Sequence, residues 1–449
     1  MADCPKGRLI IGKSSEPSKE VPLPQLLRPS AVIQDGICVR NGRVLCYRVP
    51  MASERESKTL DPAAANAVAR LLKRNRAAML ALLGRLVRVE SPSTDKPALD
   101  RFARLLAAEC RRAGAKVQLS RQKKAGDHVL ASFFSSTRGR PILILGHYDT
   151  VYPLGTLARM PFHVRDARAW GPGTLDMKSG IVIALAAVQA MRAARIPAVS
   201  PVICLFTSDE EIGSHHSRAL IERLARRSRA ALVLEPAAGR EGKLKTARKG
   251  TGEIELTVRG KSAHAGLNPE EGVNAIHELA LQIERIRGFN DPATGATVNV
   301  GVVEGGTRSN VIPDRARAAI DLRVVRVEDA APLERRFSSL QPILPGAQIE
   351  VRGGFSRPPM ERTPQVAALF AEARRIGEII GLQLEETAVG GGSDGNFTAA
   401  LGVPTLDGLG GVGTGAHSPD EFVFVDSLTE RAALVALLLA STPDSLPAK

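Results

Sequence analysis

The sequence has 449 residues, 44% of them hydrophobic and 24% charged, which predicts a globular protein of two or three domains. No apolar run reaches the roughly 18 residues that a membrane span requires, and the N-terminus lacks the apolar core of a secretory signal. We therefore expect a cytoplasmic protein with no membrane partner. The net charge of +14 is confined to the first 140 residues, which contain 27 Lys and Arg against 12 Asp and Glu.

The segment 1–50 is expected to lie outside the folded protein. It contains Pro, Gly and Ser without a sustained helical or alternating pattern, which predicts a loop or disorder. Because Met51 opens a segment that resembles a natural beginning, our hypothesis is that residues 1–50 are a translation artefact. A genuine flexible arm is the alternative.

Two helices are predicted at about residues 62–88 and 97–113, where apolar residues recur at helical spacing and Arg or Lys fills the other face. This arrangement is typical of a solvated helix face. Aromatic residues that would stack on bases are nearly absent here, so we expect no nucleic-acid partner. A basic interaction arm is the weaker alternative.

Helices then alternate with short apolar strands. The strands KVQLS, HVLASFF and PILILG follow the two helices, and further helices lead to the strands PVICLFTS and AALVLE. Strands that are joined through helices imply crossover connections and a largely parallel sheet. In such a sheet, ligands bind beyond the carboxyl ends of the strands.

The pattern changes near residue 246. The following residues alternate between apolar and polar and include two helices, which predicts an antiparallel sheet in a small α+β domain. Helices and buried strands return at about residue 357. We therefore predict an α/β fold in which a parallel-rich sheet domain, residues 60–246 and 357–442, is interrupted by an inserted α+β domain at 247–356.

Acidic and imidazole side chains follow successive predicted strands. The residues at these positions are His147 and Asp149, then Asp176, then Asp209, Glu210 and Glu211, and then Glu235. Because residues i and i+2 of a strand face the same side, His147 and Asp149 can share one crevice. Carboxylates gathered at one edge would repel each other unless a cation neutralised them. Imidazole and carboxylate ligands without thiolates suit zinc, manganese or cobalt.

Each of these residues has an ordinary structural explanation when it is taken alone. Glu210 and Glu211 suit a helix N-terminus, Asp176 suits a helix cap, and Glu235 suits a loop. Their occurrence at consecutive strand ends favours a metal site, and His417 in a glycine-flanked loop offers a second imidazole. The five cysteines form no CxxC pair, which argues against a thiolate site.

Seven motifs between about residues 65 and 440 resemble, in order, those of a zinc-dependent exopeptidase family. The motifs are GHYDTVYP, GPGTLDMKSG, TSDEEIGS, LEPA, GKSAHAGLNPEEGVNAI, GGTRSNVIPD and GTGAHSPDE. This family includes glutamate carboxypeptidase (carboxypeptidase G), succinyl-diaminopimelate desuccinylase, acetylornithine deacetylase and peptidase T. The resemblance implies a metal-binding catalytic domain that is interrupted by a lid domain, and a homodimer that forms through this lid.

The resemblance also implies two zinc ions per subunit, with cobalt or manganese as alternatives. By position in the motifs, Asp176 would bridge the two ions. His147 and Glu235 would complete one site, and Glu211 and His417 would complete the other.

Three further residues match catalytic positions of the resembled family. Asp149 would orient His147 as a metal ligand. Glu210 would be the general base that takes a proton from the attacking water and delivers it to the leaving amine. His264, on the lid, would reach into the partner subunit's site and stabilise the tetrahedral oxyanion, with an ordinary surface histidine as the alternative.

Substrate-binding residues are indicated by the branch that the sequence resembles most, the glutamate carboxypeptidases. Asn310, Arg323 and Arg357 would bind a substrate carboxylate, since arginine binds carboxylate bidentately. Gly391 and Gly392 would offer backbone donors. The resemblance thus implies a di-zinc carboxypeptidase that releases a C-terminal glutamate-like amino acid from a small peptide or an N-acyl amino acid.

Several alternatives stay open at this point. An N-acyl amino acid deacylase or dipeptidase of the same family would share every metal ligand and differ only in its pocket. A metal-binding regulatory relative would not need Glu210. Lys243 either assists substrate binding or is an ordinary lysine at a strand edge.

Overall fold

The computed structural model of the protein describes residues 36–40, 43–47 and 60–442. Two strands, β1 (Gly36–Arg40) and β2 (Arg43–Tyr47), form an antiparallel hairpin within the first of two compact units. The remainder of the predicted segment 1–50 lies outside the described residues. The hypothesis about its origin therefore stays a prediction.

A six-stranded sheet forms the centre of the second unit. Its strands, in sheet order, are β16 (Thr405–Leu406), β9 (Ala230–Val233), β5 (Ile142–His147), β8 (Val202–Thr207), β4 (His128–Phe133) and β3 (Lys116–Ser120). The first four strands are parallel to one another, whereas β4 and β3 pair antiparallel. The predicted parallel-rich sheet is confirmed, with an antiparallel edge.

Alternate residues of the central strands pack into two separate cores. Ile142 and Ile144 of β5 belong to one core, whereas Leu143 and Leu145 belong to the other. All four side chains are fully buried, because a sheet that is covered on both faces leaves neither set of alternating residues exposed. This double burial explains why PILILG is a continuous apolar run.

Helices cover both faces of this sheet. The helices that contribute to the larger core are α1 (Pro62–Arg74), α2 (Arg76–Val87), α3 (Lys96–Arg112), α4 (Ser179–Ala193), α8 (Pro364–Ile380) and α10 (Val425–Ser441). The smaller core is covered by α5 (Arg218–Arg227) and α9 (Gly395–Ala400). The predicted helix at 62–88 is interrupted at Asn75, which ends α1 and precedes α2.

Helix α4 is buried along most of its length. Among the described residues, Thr174–Ala193 is the one segment whose length and apolar composition would suffice to cross a membrane, and it is almost entirely buried inside the protein. Burial in the core accounts for a helix that is apolar on all sides. The predicted cytoplasmic location stays a prediction.

A second sheet with its own core lies between residues 250 and 357. Its strands, in sheet order, are β12 (Thr297–Gly305), β13 (Arg315–Val324), β11 (Gly250–Arg259) and β14 (Gln348–Arg357), and all pairs are antiparallel. Helices α6 (Ala275–Arg287) and α7 (Val327–Ser338) share a core with this sheet. The α+β character of the inserted segment is confirmed, and its boundaries at 247 and 356 stay a prediction.

Two smaller sheets connect distant parts of the chain near the ends of the central strands. One consists of β17 (Gly413–Thr414), β18 (Phe422–Phe424), β7 (Arg168–Trp170) and β6 (His163–Arg165). The other pairs β10 (Leu244–Arg248) with β15 (Glu386–Val389) in parallel. The first sheet holds the loop that contains His417, and the second brings β10 next to the glycine-rich segment that follows β15.

Candidate metal centre

Three neighbouring parallel strands end beside one another at the carboxyl edge of the central sheet. The side chains at this edge are His147 at the end of β5, Glu210 and Glu211 after β8, and Glu235 after β9. Because β8, β5 and β9 are adjacent and parallel, these side chains converge on one place, as the sequence predicted.

Asp176 and His417 reach the same place from outside the sheet. Asp176 lies in the segment Thr174–Lys178, directly before α4, where its own backbone is not helical (φ −110°, ψ 99°). His417 lies in the loop between β17 and β18, where its φ of 62° places the backbone in the left-handed region. This conformation is uncommon for a residue other than glycine and is concentrated at functional sites.

Two groups of potential metal ligands share Asp176. In the first group, His147 Nε2 lies 3.2 Å from Asp176 Oδ1 and 3.4 Å from Glu235 Oε1. In the second group, His417 Nε2 lies 3.1 Å from Glu211 Oε2 and 3.4 Å from Asp176 Oδ2. Within each group the ligand atoms lie within 4.8 Å of one another. The structure thus brings together the five predicted metal ligands, with one Asp176 oxygen facing each group.

The electrostatics of both groups favour a positive charge. Contacts with Asp176 and Glu211 raise the pKa of His417 to about 10. Burial lowers the pKa of His147, but its hydrogen bonds with surrounding carboxylates outweigh burial and raise this pKa well above the usual value. Glu211 Oε1 is buried without a hydrogen-bond partner in the described part of the chain. This donor set of imidazole nitrogen and carboxylate oxygen fits a metal ion that accepts both.

Asp149 is completely buried and contacts both His147 and the turn that follows β8. Its backbone oxygen lies 3.0 Å from His147 Nδ1, and its Oδ1 lies 3.4 Å from the same nitrogen. Both oxygens require a proton on Nδ1, which leaves Nε2 to face the acidic groups. The Asp149 carboxylate also accepts the backbone N–H groups of Glu210 and Glu211, at 3.2 Å each. Asp149 therefore holds the turn after β8 in place, a role that the sequence did not predict.

Glu210 belongs to neither group of ligands. Its Oε1 lies 3.0 Å from Arg357 Nη2, and the same nitrogen donates to the Glu210 backbone oxygen at 2.9 Å. Burial raises the pKa of Glu210 well above its usual value, and the Arg357 charge opposes this rise. Arg357 also contacts Asp394 at 3.1 Å and Ser214 Oγ at 2.8 Å. Its guanidinium is thus occupied by protein groups.

Comparison with known proteins assigns the chain to a family. Residues 143–441 match Peptidase family M20/M25/M40. Carboxypeptidase G2 from Pseudomonas sp. (strain RS-16) is 31% identical over 372 residues, which cover 81% of this chain and 88% of the relative. The chain belongs to the M20 peptidase family. It is a metallo-exopeptidase, and the resemblance indicated by its motifs is confirmed.

Other relatives extend this family assignment. Succinyl-diaminopimelate desuccinylase from Dechloromonas aromatica (strain RCB) is 28% identical, over 67% of this chain and 83% of the relative. Aminopeptidase PepT from Bacillus cereus has a similar structure, with a TM-score of 0.68, 24% identity, and coverage of 82% of this chain and 99% of that chain. A dinuclear metal-binding peptidase from Bacillus subtilis has a TM-score of 0.60 and 16% identity, with coverage of 82% and 98%. At these identities, the two solved structures show the shared fold alone.

Arg323 of this M20 peptidase lies beside the glycine-rich segment after β15. Its Nε and Nη2 donate to Asp321, each at 2.8 Å, and its Nη1 donates to the Gly390 backbone oxygen at 3.2 Å. Gly391 and Gly392 follow directly. Three of the predicted substrate-binding residues are therefore close together at this loop.

His264 and Asn310 lie together in the inserted α+β segment, and both are exposed. Ala265, directly after His264, donates its N–H to the Asn310 backbone oxygen at 3.0 Å. His264 Nδ1 accepts the N–H groups of Gly266 and Leu267, at 3.1 Å each. Among the described residues, the structure shows no contact between His264 or Asn310 and the two ligand groups.

Asp209 and Lys243, which the sequence analysis also considered, form contacts that stabilise the fold. Asp209 Oδ2 accepts the N–H groups of His216 at 2.6 Å and Ser217 at 3.2 Å, so this carboxylate stabilises the turn before α5. Lys243 forms an ion pair with Glu385 at 2.6 Å. The alternative of a strand-edge lysine is thus the one that the structure supports.

Glu421 contributes to the site although the sequence pattern did not single it out. It is fully buried, and its carboxylate accepts the N–H groups of residues 173, 175 and 176 at 2.7–2.9 Å. It also accepts the Tyr152 hydroxyl at 2.8 Å. Burial raises the pKa of Glu421 to about 7, although these hydrogen bonds lower it. Glu421 therefore fixes the turn that carries Asp176, and its place four residues after His417 was the available signal.

The shared position of Asp176 predicts how metal binding responds to substitution. Asp176→Ala should reduce the metal content from about two ions per chain to less than about one, whereas Glu211→Ala should leave about one, because Asp176 is the one described residue that belongs to both groups. Elemental analysis of the dialysed proteins measures this content. Asp420→Asn, at an exposed carboxylate outside both groups, is the control and should keep both ions. Two ions bound to Asp176→Ala would contradict the shared site.

Proposed function

We propose that the protein is a di-zinc carboxypeptidase that releases a C-terminal glutamate-like amino acid from small peptides or N-acyl amino acids. The observation that carries this proposal is the pair of ligand groups that share Asp176, with Glu210 directly next to Glu211 but outside both groups. The 31% identity to carboxypeptidase G2 supports the substrate class. Cobalt and manganese are the alternative ions, since they accept the same donors.

Each ligand group is proposed to hold one zinc ion. The residues are His147, Asp176 and Glu235 for one ion, and Asp176, Glu211 and His417 for the other. When bound, the two ions supply Lewis acidity toward the scissile carbonyl and the attacking water. Asp149 keeps His147 in the tautomer that presents Nε2 to the site.

Glu210 is proposed as the general base. Its carboxylate is not needed as a ligand, so it is available to take a proton from the attacking water and deliver it to the leaving amine. Two contacts orient it: Asp149 accepts its backbone N–H, and the Arg357 guanidinium lies 3.0 Å from its Oε1. Because both its backbone and its side chain are held, the Glu210 carboxylate keeps an orientation that suits proton transfer.

We propose that the substrate carboxylate is bound by Arg323, Asn310 and the glycine-rich segment after β15, residues 390–392, which we call the glycine loop. Arg323 bonds to this loop, and a side chain at Gly391 would meet no atom within 4 Å, so the loop backbone is open to a ligand. The Gly392 N–H is proposed to donate to this carboxylate. Arg357 and Arg323 are both bonded to the protein, but the Arg357 side chain is 6% exposed against 31% for Arg323, and the contact of Arg357 with substrate stays a prediction.

A deacylase or dipeptidase is the second candidate function. The 28% identity to a succinyl-diaminopimelate desuccinylase supports it, because that enzyme also belongs to this group of relatives. Such an enzyme would use the same ligand groups and the same base, and would differ in the residues that contact the acyl group. A non-catalytic regulatory role is not favoured, since Glu210 would then have no function that requires its position.

A panel of amide substrates tests the substrate class. The zinc-loaded protein should hydrolyse conjugates with a C-terminal glutamate at a kcat/KM at least about tenfold above that for neutral dipeptides and N-acetyl amino acids, because the proposed site adds charge-assisted hydrogen bonds to the carboxylate. The same conjugates with an amidated C-terminus are the matched control and should be poor substrates. Faster hydrolysis of N-acyl basic amino acids would support the deacylase, and no hydrolysis of any member would refute the proposal.

Substitution of Glu210 tests the mechanism. Glu210→Gln should keep both metal ions but lower kcat by about 100- to 10,000-fold, because glutamine cannot carry the proton. Steady-state kinetics and elemental analysis on one preparation measure the two effects. Glu385→Gln, which changes a carboxylate that pairs with Lys243 away from the site, is the control and should keep full activity. Near-normal kcat in Glu210→Gln would rule out its role as the base.

We also propose that the protein forms a homodimer through the inserted segment, with His264 acting in the partner subunit's site. Strand β12 is an edge of the second sheet, and its Val302 and Val303 are 50% and 54% exposed. Ile276 on α6 and Leu267 add further exposed apolar surface. An apolar sheet edge of this kind is typical of a surface that pairs with another copy.

Disruption of this edge tests the dimer. Val303→Glu should convert the protein from a dimer to a monomer in analytical ultracentrifugation, because it places a charge in the proposed interface. It should also lower activity if His264 acts across the interface. Val164→Glu, at a similarly exposed valine of β6, is the control and should leave the dimer intact. A wild-type protein that sediments as a monomer would refute this proposal.

A further inference from the structure

Arg248 and Asp407 form a buried ion pair behind the candidate metal centre. Arg248, the last residue of β10, is 4% exposed, and Asp407, directly after β16, is fully buried. The Arg248 Nε and Nη2 atoms donate to the two carboxylate oxygens of Asp407, at 2.7 and 3.1 Å. This bidentate contact fixes the plane of the guanidinium.

The remaining contacts of the Arg248 guanidinium reach the glycine-rich segment after β15 and the predicted metal ligand Glu235. Its Nη1 donates to the backbone oxygens of Gly391 at 3.0 Å and Gly392 at 3.1 Å. Its Nη2 lies 3.9 Å from Glu235 Oε2, while the other oxygen of Glu235 faces His147. One side chain therefore contacts both a ligand group and the glycine loop.

The contact with the two carbonyls also determines how the loop backbone is presented. In a trans peptide the C=O and the N–H of the same unit point in opposite directions. Because Gly391 and Gly392 direct their oxygens at Arg248, the N–H groups of Gly392 and Ser393 point away from it. The Ser393 N–H is bonded to Asn396 Oδ1 at 2.9 Å, whereas the Gly392 N–H has no partner in the described part of the chain and is left for a ligand.

The ion pair is held firmly at both ends. The backbone of Asp407 exchanges two hydrogen bonds with Lys245, at 2.9 and 3.1 Å, and its carboxylate accepts the Ser393 hydroxyl at 2.6 Å. The backbone of Arg248 exchanges two hydrogen bonds with Met360, at 2.9 and 3.0 Å. A buried pair that is satisfied in this way holds one geometry.

We propose that Arg248 is a positioning residue that keeps the carboxylate of Glu235 and the glycine loop 390–392 at a constant separation. The part that concerns substrate rests on the proposed function, because that function gives the loop its role, whereas the contact with Glu235 does not depend on it. Lysine cannot replace Arg248, because one ammonium cannot pair bidentately with Asp407 and also reach both carbonyls and Glu235.

Two conservative variants separate the two contacts. Arg248→Lys should weaken zinc affinity, measured by competition with a chromogenic chelator, by about 10- to 100-fold, and should raise KM for a glutamate conjugate. Arg323→Lys should raise KM but leave zinc affinity unchanged, because Arg323 bonds the loop at Gly390 and does not contact Glu235. Zinc affinity within about twofold of wild type in Arg248→Lys would overturn the proposal.

A matched variant controls for the loss of a buried arginine as such. Arg431 is also 4% exposed and donates to the Gly242 backbone oxygen, and in the described part of the chain it contacts no predicted metal ligand. Arg431→Lys should lower the melting temperature without changing zinc affinity or KM. Equal losses of zinc affinity in Arg431→Lys and Arg248→Lys would assign only a structural role to Arg248 and overturn the proposal.

A double variant covers the case in which Arg248→Lys does not fold. Arg248→Met with Asp407→Asn removes both charges of the buried pair, a change that proteins often tolerate. A folded double variant should show the same loss of zinc affinity, and one with wild-type zinc affinity and KM would overturn the proposal. Failure of both variants to fold would make the pair structural only and would also overturn it.

Zinc affinity separates this inference from the proposed function. It is measured without substrate, so it does not depend on which amide the enzyme cleaves. If no glutamate conjugate is hydrolysed, the proposed function fails while the zinc affinity of Arg248→Lys still decides the positioning role. If glutamate conjugates are hydrolysed but zinc affinity is unchanged, the proposed function stands and the positioning role fails.

Discussion

The rest of the site depends on one shared carboxylate. Asp176 directs one oxygen toward His147 and the other toward His417, which come from distant parts of the chain. If this carboxylate moved, both groups would lose one of their potential metal ligands. Glu421 prevents such movement by accepting the backbone N–H groups around Asp176, and Asp149 similarly holds the turn that carries Glu210. Two buried carboxylates that belong to neither ligand group thus give the site its rigidity.

Buried carboxylates at one sheet edge are unfavourable unless positive charge lies nearby. In this protein arginines bonded to the protein itself provide part of that charge. Arg357 pairs with Glu210 and Asp394, and Arg248 pairs with Asp407. The positive charge of helices α1 and α3 has a different character, since most of their Lys and Arg side chains are exposed. A few buried pairs therefore matter more to the site than the net charge does.

Local sequence patterns predicted helices and strands well where a single rule, such as burial of both faces or alternation, determines the element. The apolar run PILILG predicted a central strand because both of its faces are buried, and alternation predicted the antiparallel sheet of the inserted segment. Strand direction is not encoded in periodicity, so the antiparallel edge formed by β3 and β4 was not predicted. The break at Asn75 was not predicted either, because the apolar spacing continues across it.

The sequence by itself determined which groups could form the site and where along the chain they occur. Histidine and carboxylate residues at the ends of parallel strands must converge, because the strands share one edge. Only the tertiary structure decided how these groups are held. Arg357 bonds Glu210, Arg248 bonds the glycine loop, and Glu421 bonds the turn of Asp176. The partners in each case lie more than 100 residues apart, and contacts over such distances follow from packing, which no local pattern encodes.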